Sequence, residues 1–285
     1  MIWALKIIIK IILKKLPFSY RFWKISGLFK HGRMDQFEYS KKIFFSHIEE
    51  MMQINSDEKE PIILEIGPGD SIVSAIYGKI YKAKKFYLID VDSYSTKDIL
   101  FYKSIVKNLI SCGFEINFGP DDFNTFEELL QICNAEYLTK GVSSFQNIEN
   151  DSVDYIFSHS VMEHIRLSEI RLLIKEIFRV LKFGTGVMKH NINYKDHLTE
   201  SLNNLRFSKK IWESEFFANS GFYTNRIPAF EMHRIFKLEG FSLYRENFGQ
   251  WDKLPLARKH IHKDFNKFSN EDLINRTSSF LAQKK

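Results

Sequence analysis

The chain has 285 residues, of which 44% are hydrophobic and 27% charged, with a net charge of +6. That size and apolar share can bury a full core, and Gly 13, Pro 6, no internal repeat and no low-complexity run exclude solenoid, fibrous and disordered classes. The two cysteines, Cys112 and Cys133, lie in no CxxC and near no histidine cluster at zinc-ligand spacing, so they are expected to be small buried hydrophobes in a reducing compartment.

The chain opens on MIWALKIIIKIILKK, whose Lys6, Lys10 and Lys14 fall on one helical face. Its apolar runs are shorter than the ~20 residues a membrane-spanning helix needs, and no small-residue cleavage site follows. Residues 1–15 therefore read either as an interfacial helix at the inner face of a membrane or as an amphipathic helix packed on the protein's own core, the chain itself being cytoplasmic. The remaining lysines are scattered rather than set along one central stripe, and no nucleic-acid partner is expected.

Residues 17–60 are mostly helical by pattern, with Phe44, Phe45, Ile48, Met51 and Met52 at near-helical spacing, and with residues 1–15 they form an N-terminal helical extension over 1–60. IILEI at 62–66 suits a strand buried on both faces. A helix from Ser71 to about Lys82 and a second strand, FYLIDVD at 86–92, complete a βαβ unit. Helices over 97–111 and 121–133 lead to strands at 135–143 and 154–161. The clearest helix carries Ile170, Leu173, Ile174, Ile177, Phe178 and Leu181 as a continuous stripe and stops at Gly184. TGVMKHNI at 185–192 is a fifth strand. Residues 194–230, rich in aromatics (Trp212, Phe216, Phe217, Phe222, Tyr223), leave that strand as a lid-like insertion. Strands at 241–248 and 278–284 bracket a capping-box start at Ser269 and Asp272. The alternation predicts an α/β domain over 61–285: a doubly wound, Rossmann-like, seven-stranded, mainly parallel sheet with helices on both faces.

Gly67, Pro68 and Gly69 end the first strand, where a tight turn and close approach of backbone to a ligand both require a missing Cβ. The third glycine of a dinucleotide fingerprint would fall at Ile72, and Asp70 brings a negative charge to the start of the next helix. A helix N-terminus attracts phosphate; an acidic side chain there repels it. The loop thus suits a sulfonium cofactor better than NAD. Asp90, twenty-three positions after Gly67 at the end of the second strand, is placed to bind a ribose diol, with Asp92 as fallback.

On these residues the chain resembles the class I S-adenosyl-L-methionine (SAM) dependent methyltransferases of the type 11 kind. ILEIGPGD is similar to their first motif, YLIDVD to the acidic strand, NDSVDYIFSHSVMEHI to the fourth-strand motif with its Glu-His pair, and IFRVLKFGTGVMKHNI to the helix, turn and fifth strand. The four occur in the family's order, over roughly 60–285. KHNINYKDHL and YTNRIP further resemble bacterial members associated with O-antigen and surface-polysaccharide genes, although Asn193 stands where members commonly carry an acidic residue. The resemblance implies that the Gly67–Gly69 backbone, with Glu65 nearby, holds the methionine portion. It also implies that Val142 and Ser143 line the adenine, where an Asp-Ala pair is common, and that Val91 and Ser158 add cofactor contacts.

Methyl transfer from a sulfonium is an in-line displacement, helped by a base when the acceptor is a hydroxyl. His159, Glu163, His164, His190, Asp196 and His197 cluster near the ends of the fourth and fifth strands, and the sequence favours His190 as base, then His197 with Asp196, with no metal required. The expected acceptor is a sugar, glycolipid or polysaccharide precursor. A quinone-like metabolite, a catalytically silent SAM-fold partner protein and, more remotely, a dehydrogenase are the alternatives.

Overall fold

A computed structural model of the chain describes residue 7, residues 33–55 and residues 58–284. Of the amphipathic segment 1–15 only Ile7 is described; the rest of that expectation lies outside the described residues.

In chain order the elements are α1 (Phe37–Met52), β1 (Ile62–Ile66), α2 (Val73–Ile80), β2 (Lys85–Ile89), α3 (Ile99–Ser111), α4 (Phe126–Ile132), β3 (Ala135–Leu138) and β4 (Tyr155–His159). There follow α5 (Ile170–Val180), β5 (Val187–Asn193), α6 (Lys209–Trp212), α7 (Glu215–Ala218), α8 (Ala229–Leu238), β6 (Phe241–Gln250), α9 (Asn270–Leu273) and β7 (Asn275–Lys284). The strands form one seven-stranded sheet in the order β3-β2-β1-β4-β5-β7-β6. The first five pair in parallel, and β7 lies antiparallel between β5 and β6.

Alternation along the central strands feeds two cores. Ile63, Phe86, Tyr155 and Phe157 meet α1 to α4 on one face, while Leu64, Ile66, Ile156 and Met188 meet α5 and α8 on the other. The helix α5 buries Ile170, Leu173, Ile174, Ile177 and Val180 in the second core, the stripe visible in the sequence. The helix α1, assigned above to an extension, puts Phe44, Ile48 and Met51 at 0% exposure in the first core. Ser269 and Asp272 do form a reciprocal capping box at α9.

Three elements differ from expectation. Strand β3 ends at Leu138, because Gly141 (φ +55) turns the chain into a short 3-10 helix, Gly141–Asn147. The helix α4 starts only at Phe126, where Thr125 and Glu128 cap it reciprocally. Cys112 is exposed at the end of α3, whereas Cys133 is buried. No helix among the described residues is long and apolar enough to cross a membrane.

Strand order reverses between β1 and β4. In an open α/β sheet that reversal opens a crevice above the carboxyl ends of the strands. The β1 and β4 loops meet there: a Cβ on Gly67 would lie 2.5 Å from Val161 Cγ2.

Candidate active site

The β1–β2 side of the crevice, where the methyl-donor site is expected, is made of backbone. Gly67 (φ +73) and Gly69 (φ +65) both take the left-handed conformation that glycine alone adopts without penalty. The Gly67 N–H donates to the Ile89 carbonyl at 2.8 Å, and the Ser95 hydroxyl donates to the Gly69 carbonyl at 3.0 Å. Asp90 then ties the loop to β2: its Oδ2 accepts from the Gly69 N–H at 3.1 Å and its Oδ1 from the Val91 N–H at 2.7 Å. Burial raises the Asp90 carboxyl to about 6 even against those two donors. Each oxygen keeps a second lone pair for a ligand hydroxyl.

Below the loop Glu65 is buried on β1, and its Oε2 has no hydrogen-bond partner. Burial pushes its carboxyl up to about 8, with the nearby Ser74 hydroxyl opposing and Asp90 adding to the rise. An orphaned buried carboxylate oxygen is costly unless a ligand donor meets it. At the rim, Val91 is 61% exposed, and a Cβ on Gly141 would lie 3.3 Å from it. Val91 and the half-buried Val142 give that rim an apolar surface, and Ser143 beside them is exposed.

The start of α2 is not an open phosphate site, though the reason differs from the expected one. Asp70 is buried before the helix, but no side chain caps the α2 N-terminus. Instead the Ile72 N–H donates to the Tyr102 hydroxyl at 3.2 Å, and that hydroxyl donates on to the Thr96 carbonyl at 2.8 Å.

The β4–β5 side, where the acceptor site is expected, is made of side chains from distant segments. After β4, Ser160 takes φ +56 and donates its N–H to the Asn191 carbonyl at 2.8 Å, turning the chain through Val161 into Glu163 and His164. The insertion clamps this turn. The Asn225 amide Nδ2 donates to the Met162 and Ile165 carbonyls at 2.7 and 3.0 Å, and its N–H to the Glu163 carbonyl at 2.7 Å. His164 Nδ1 lies 2.9 Å from the Tyr223 carbonyl, and the His164 ring stacks on His197 with centroids 4.8 Å apart. A shallow, open recess lies here, lined by Glu163, Asn193, Tyr194, Asn204, Thr224 and Asn225 among others.

Three expected site residues are placed elsewhere. His190 is fully buried against Phe236 and Phe280, with Nδ1 2.8 Å from the Ser158 hydroxyl. Burial holds its pKa down at about 3, so it is a neutral core residue rather than a base facing the crevice. Ser158, its partner, is equally buried; it pairs with Ile66, the residue before the glycine loop, while its hydroxyl meets His190. The Asp196 carboxylate is spent within its own turn: Oδ1 accepts from the Leu198 and Thr199 N–H groups, Oδ2 from the Asn203 N–H and amide. His197, half-buried, stacks on His164 and lies close to Glu163, which lines the recess.

Most of the insertion's aromatics pack on one another, while Phe216 stays exposed. Trp212, Phe222 and Tyr223 are buried together with Leu198 and Ile7 in a small core of their own, and the Trp212 Nε1–H donates to the Thr224 carbonyl at 2.8 Å. In contrast, sequence reasoning missed what the N-terminal segment does. The Ser71 hydroxyl next to the glycine loop donates to the Met34 carbonyl at 2.8 Å, and His47 Nε2 on α1 lies 3.3 Å from Nδ1 of His159 at the end of β4. Burial lowers His159 to about 4, helped by the Lys189 charge. The only sequence signal on α1 was His47 in an apolar-striped helix, too little to aim it at the crevice.

No protein-family model matches the chain, and no curated protein matches it. Among solved structures it is similar to the PH0226 protein of Pyrococcus horikoshii OT3 (11% identity, TM-score 0.48, 94% of this chain and 100% of that one). It is also similar to a SAM-dependent methyltransferase of Methanosarcina mazei (15% identity, TM-score 0.46, 81% and 95%). A third is phosphoethanolamine N-methyltransferase 2 of Haemonchus contortus (15% identity, TM-score 0.43, 88% and 59%).

Proposed function

We propose that this protein is a SAM-dependent methyltransferase acting on an oxygen of a sugar-containing acceptor. The observation that carries the donor half is Glu65: a buried carboxylate with an orphaned oxygen beneath a double-glycine turn suits the ammonium of a methionine moiety. Asp90 keeps lone pairs for a ribose diol, and Val91 with Val142 offers an apolar rim to adenine. A dinucleotide fits worse, because Tyr102 occupies the Ile72 N–H at the N-cap of α2 and Asp70 brings a carboxyl group to the same turn, where its pyrophosphate would bind.

SAM bound in that turn supplies an electrophilic methyl on sulfur. An acceptor hydroxyl aligned with it would take that carbon as the carbon–sulfur bond returned its electron pair to sulfur, the hydroxyl proton leaving to a base. The chain's own part is to align the acceptor and exclude water. The recess beside the β4 turn fits a hydroxyl-rich acceptor: Asn193, Asn204, Asn225 and Thr224 offer neutral donors and acceptors, and the Asn204 Oδ1 lacks a partner. With His190 buried and Asp196 spent, the Glu163, His164 and His197 cluster is the remaining candidate to promote proton removal.

Isothermal titration with SAM and with NADH tests the donor half. One-to-one SAM binding in the micromolar range without NADH binding is expected; NADH binding without SAM binding would overturn it. Mass spectrometry of surface glycans from a deletion strain tests the acceptor: a missing methyl group on a sugar is expected, and an unchanged glycan contradicts it.

A further inference from the structure

Glu163, His164 and His197 are one ligand set. One donor atom from each, a carboxylate oxygen and two ring nitrogens, lies within 4.8 Å of the other two. Glu163 is 2% exposed, and neither of its carboxylate oxygens makes a well-formed hydrogen bond, the backbone N–H groups of Glu163 and Asn193 being its nearest donors. An anionic side chain buried in this way requires a compensating cation or proton. His164 is oriented as a metal-binding imidazole is: its Nδ1 faces the Tyr223 carbonyl at 2.9 Å, a group that only accepts, so Nδ1 holds the proton and Nε2 the lone pair. His197 stacks on that ring at 4.8 Å and 19°, with a ring nitrogen within 4.8 Å of both other donor atoms.

From these observations we propose that Glu163, His164 and His197 bind a divalent first-row transition-metal ion that grips the acceptor through its oxygens. Two imidazoles and one carboxylate suit such an ion and leave positions open for substrate. Ligand bonds of ~2.1 Å place donor atoms roughly 3.4 Å apart, so the site closes by about 1 Å on binding. His164, exposed, and His197, half-exposed, rotate onto the fixed Glu163. The ion's catalytic role, though not its binding, rests on the methyl-transfer reading. An acceptor hydroxyl on the ion yields its proton to water more readily; the oxygen then forms the bond to the methyl carbon as the carbon–sulfur bond breaks toward sulfur. The histidines thereby act as ligands, and the reaction needs no imidazole base.

The test uses the untagged full chain, stripped with chelator and titrated with Co²⁺ by visible absorption and with Zn²⁺ by calorimetry, SAM binding being measured in parallel. One-to-one binding of both ions is expected, weakened at least about 100-fold in His197→Ala and in Glu163→Gln with SAM affinity kept. If Glu163→Gln fails to fold, His164→Ala at the exposed ligand takes its place. A wild-type chain that binds SAM but neither ion, or a His197→Ala variant that binds them as wild type does, overturns the metal site and leaves methyl transfer standing. Binding of the ions without SAM upholds the site and overturns the functional reading.

Discussion

The two sides of the crevice are held by different means. On the donor side, the β1 loop and the end of β2 fix each other through backbone groups: two left-handed glycines, the Gly67 bond to Ile89, and one carboxylate at Asp90. On the acceptor side, the turn after β4 is held by a side chain sixty residues away, Asn225, and by the Tyr223 carbonyl on His164. The first arrangement tolerates almost no added atom. The second tolerates side-chain change but depends on the insertion staying folded on its own small cores around Trp212 and Phe265.

Substitutions can separate the two. The largest effect is expected from Gly67→Ala, whose Cβ meets Val161 and whose φ disfavours any side chain. SAM binding by calorimetry should fall at least about 100-fold, since backbone displacement there moves the ligand cradle itself. Asn225→Ala should instead leave SAM affinity within a few-fold of wild type. It should lower stability to denaturant by about 2–3 kcal/mol, because buried carbonyls of the 162–165 turn lose their donors, and reduce kcat. Loss of SAM binding in this variant would show that the two sides are one unit.

Protons sharpen the donor side further. Glu65 is held up at about 8 in the free protein, so at pH 7 it is mostly protonated, and an ammonium bound beside it favours the ionised form. Binding should therefore release close to one proton at pH 7, and affinity should rise with pH until about 8. Calorimetry in buffers of differing ionisation enthalpy reads this directly, and Glu65→Gln should abolish it. In Asp90→Asn, which keeps the site's shape but turns an acceptor oxygen into a donor facing the Gly69 or Val91 N–H, SAM affinity should fall about tenfold, ~1.4 kcal/mol.

The smallest effect belongs to Ser158→Ala. Removing the hydroxyl bonded to His190 costs about 1–2 kcal/mol in a denaturant melt, with SAM affinity unchanged. A change in affinity would return Ser158 to the cofactor site.

The same contrast explains what was legible in the sequence. Strand period, the α5 stripe and the glycine turn are local patterns, so the sheet, its helices and the donor loop could be read from contiguous residues. Asp90 was legible because one crossover separates it from Gly67 at a near-fixed offset. His190 was misplaced because strand alternation decides which face a side chain takes: His190 turns to the α8 core, Lys189 to α1. Asp196 was misjudged because a turn of eight residues consumed its carboxylate, and the aromatics of 212–223 because they cover one another. Asn225 and His47 were invisible, since their partners lie 60 to 112 residues away.

The claim on which the rest depends is that the Gly67–Asp90 cradle holds SAM. Calorimetric titration of the intact chain with SAM, carried out at pH 7 in two buffers, tests it most directly. One-to-one binding with release of about one proton, lost in Glu65→Gln, is the expected result; no SAM heat, or equal binding of NADH, would contradict it.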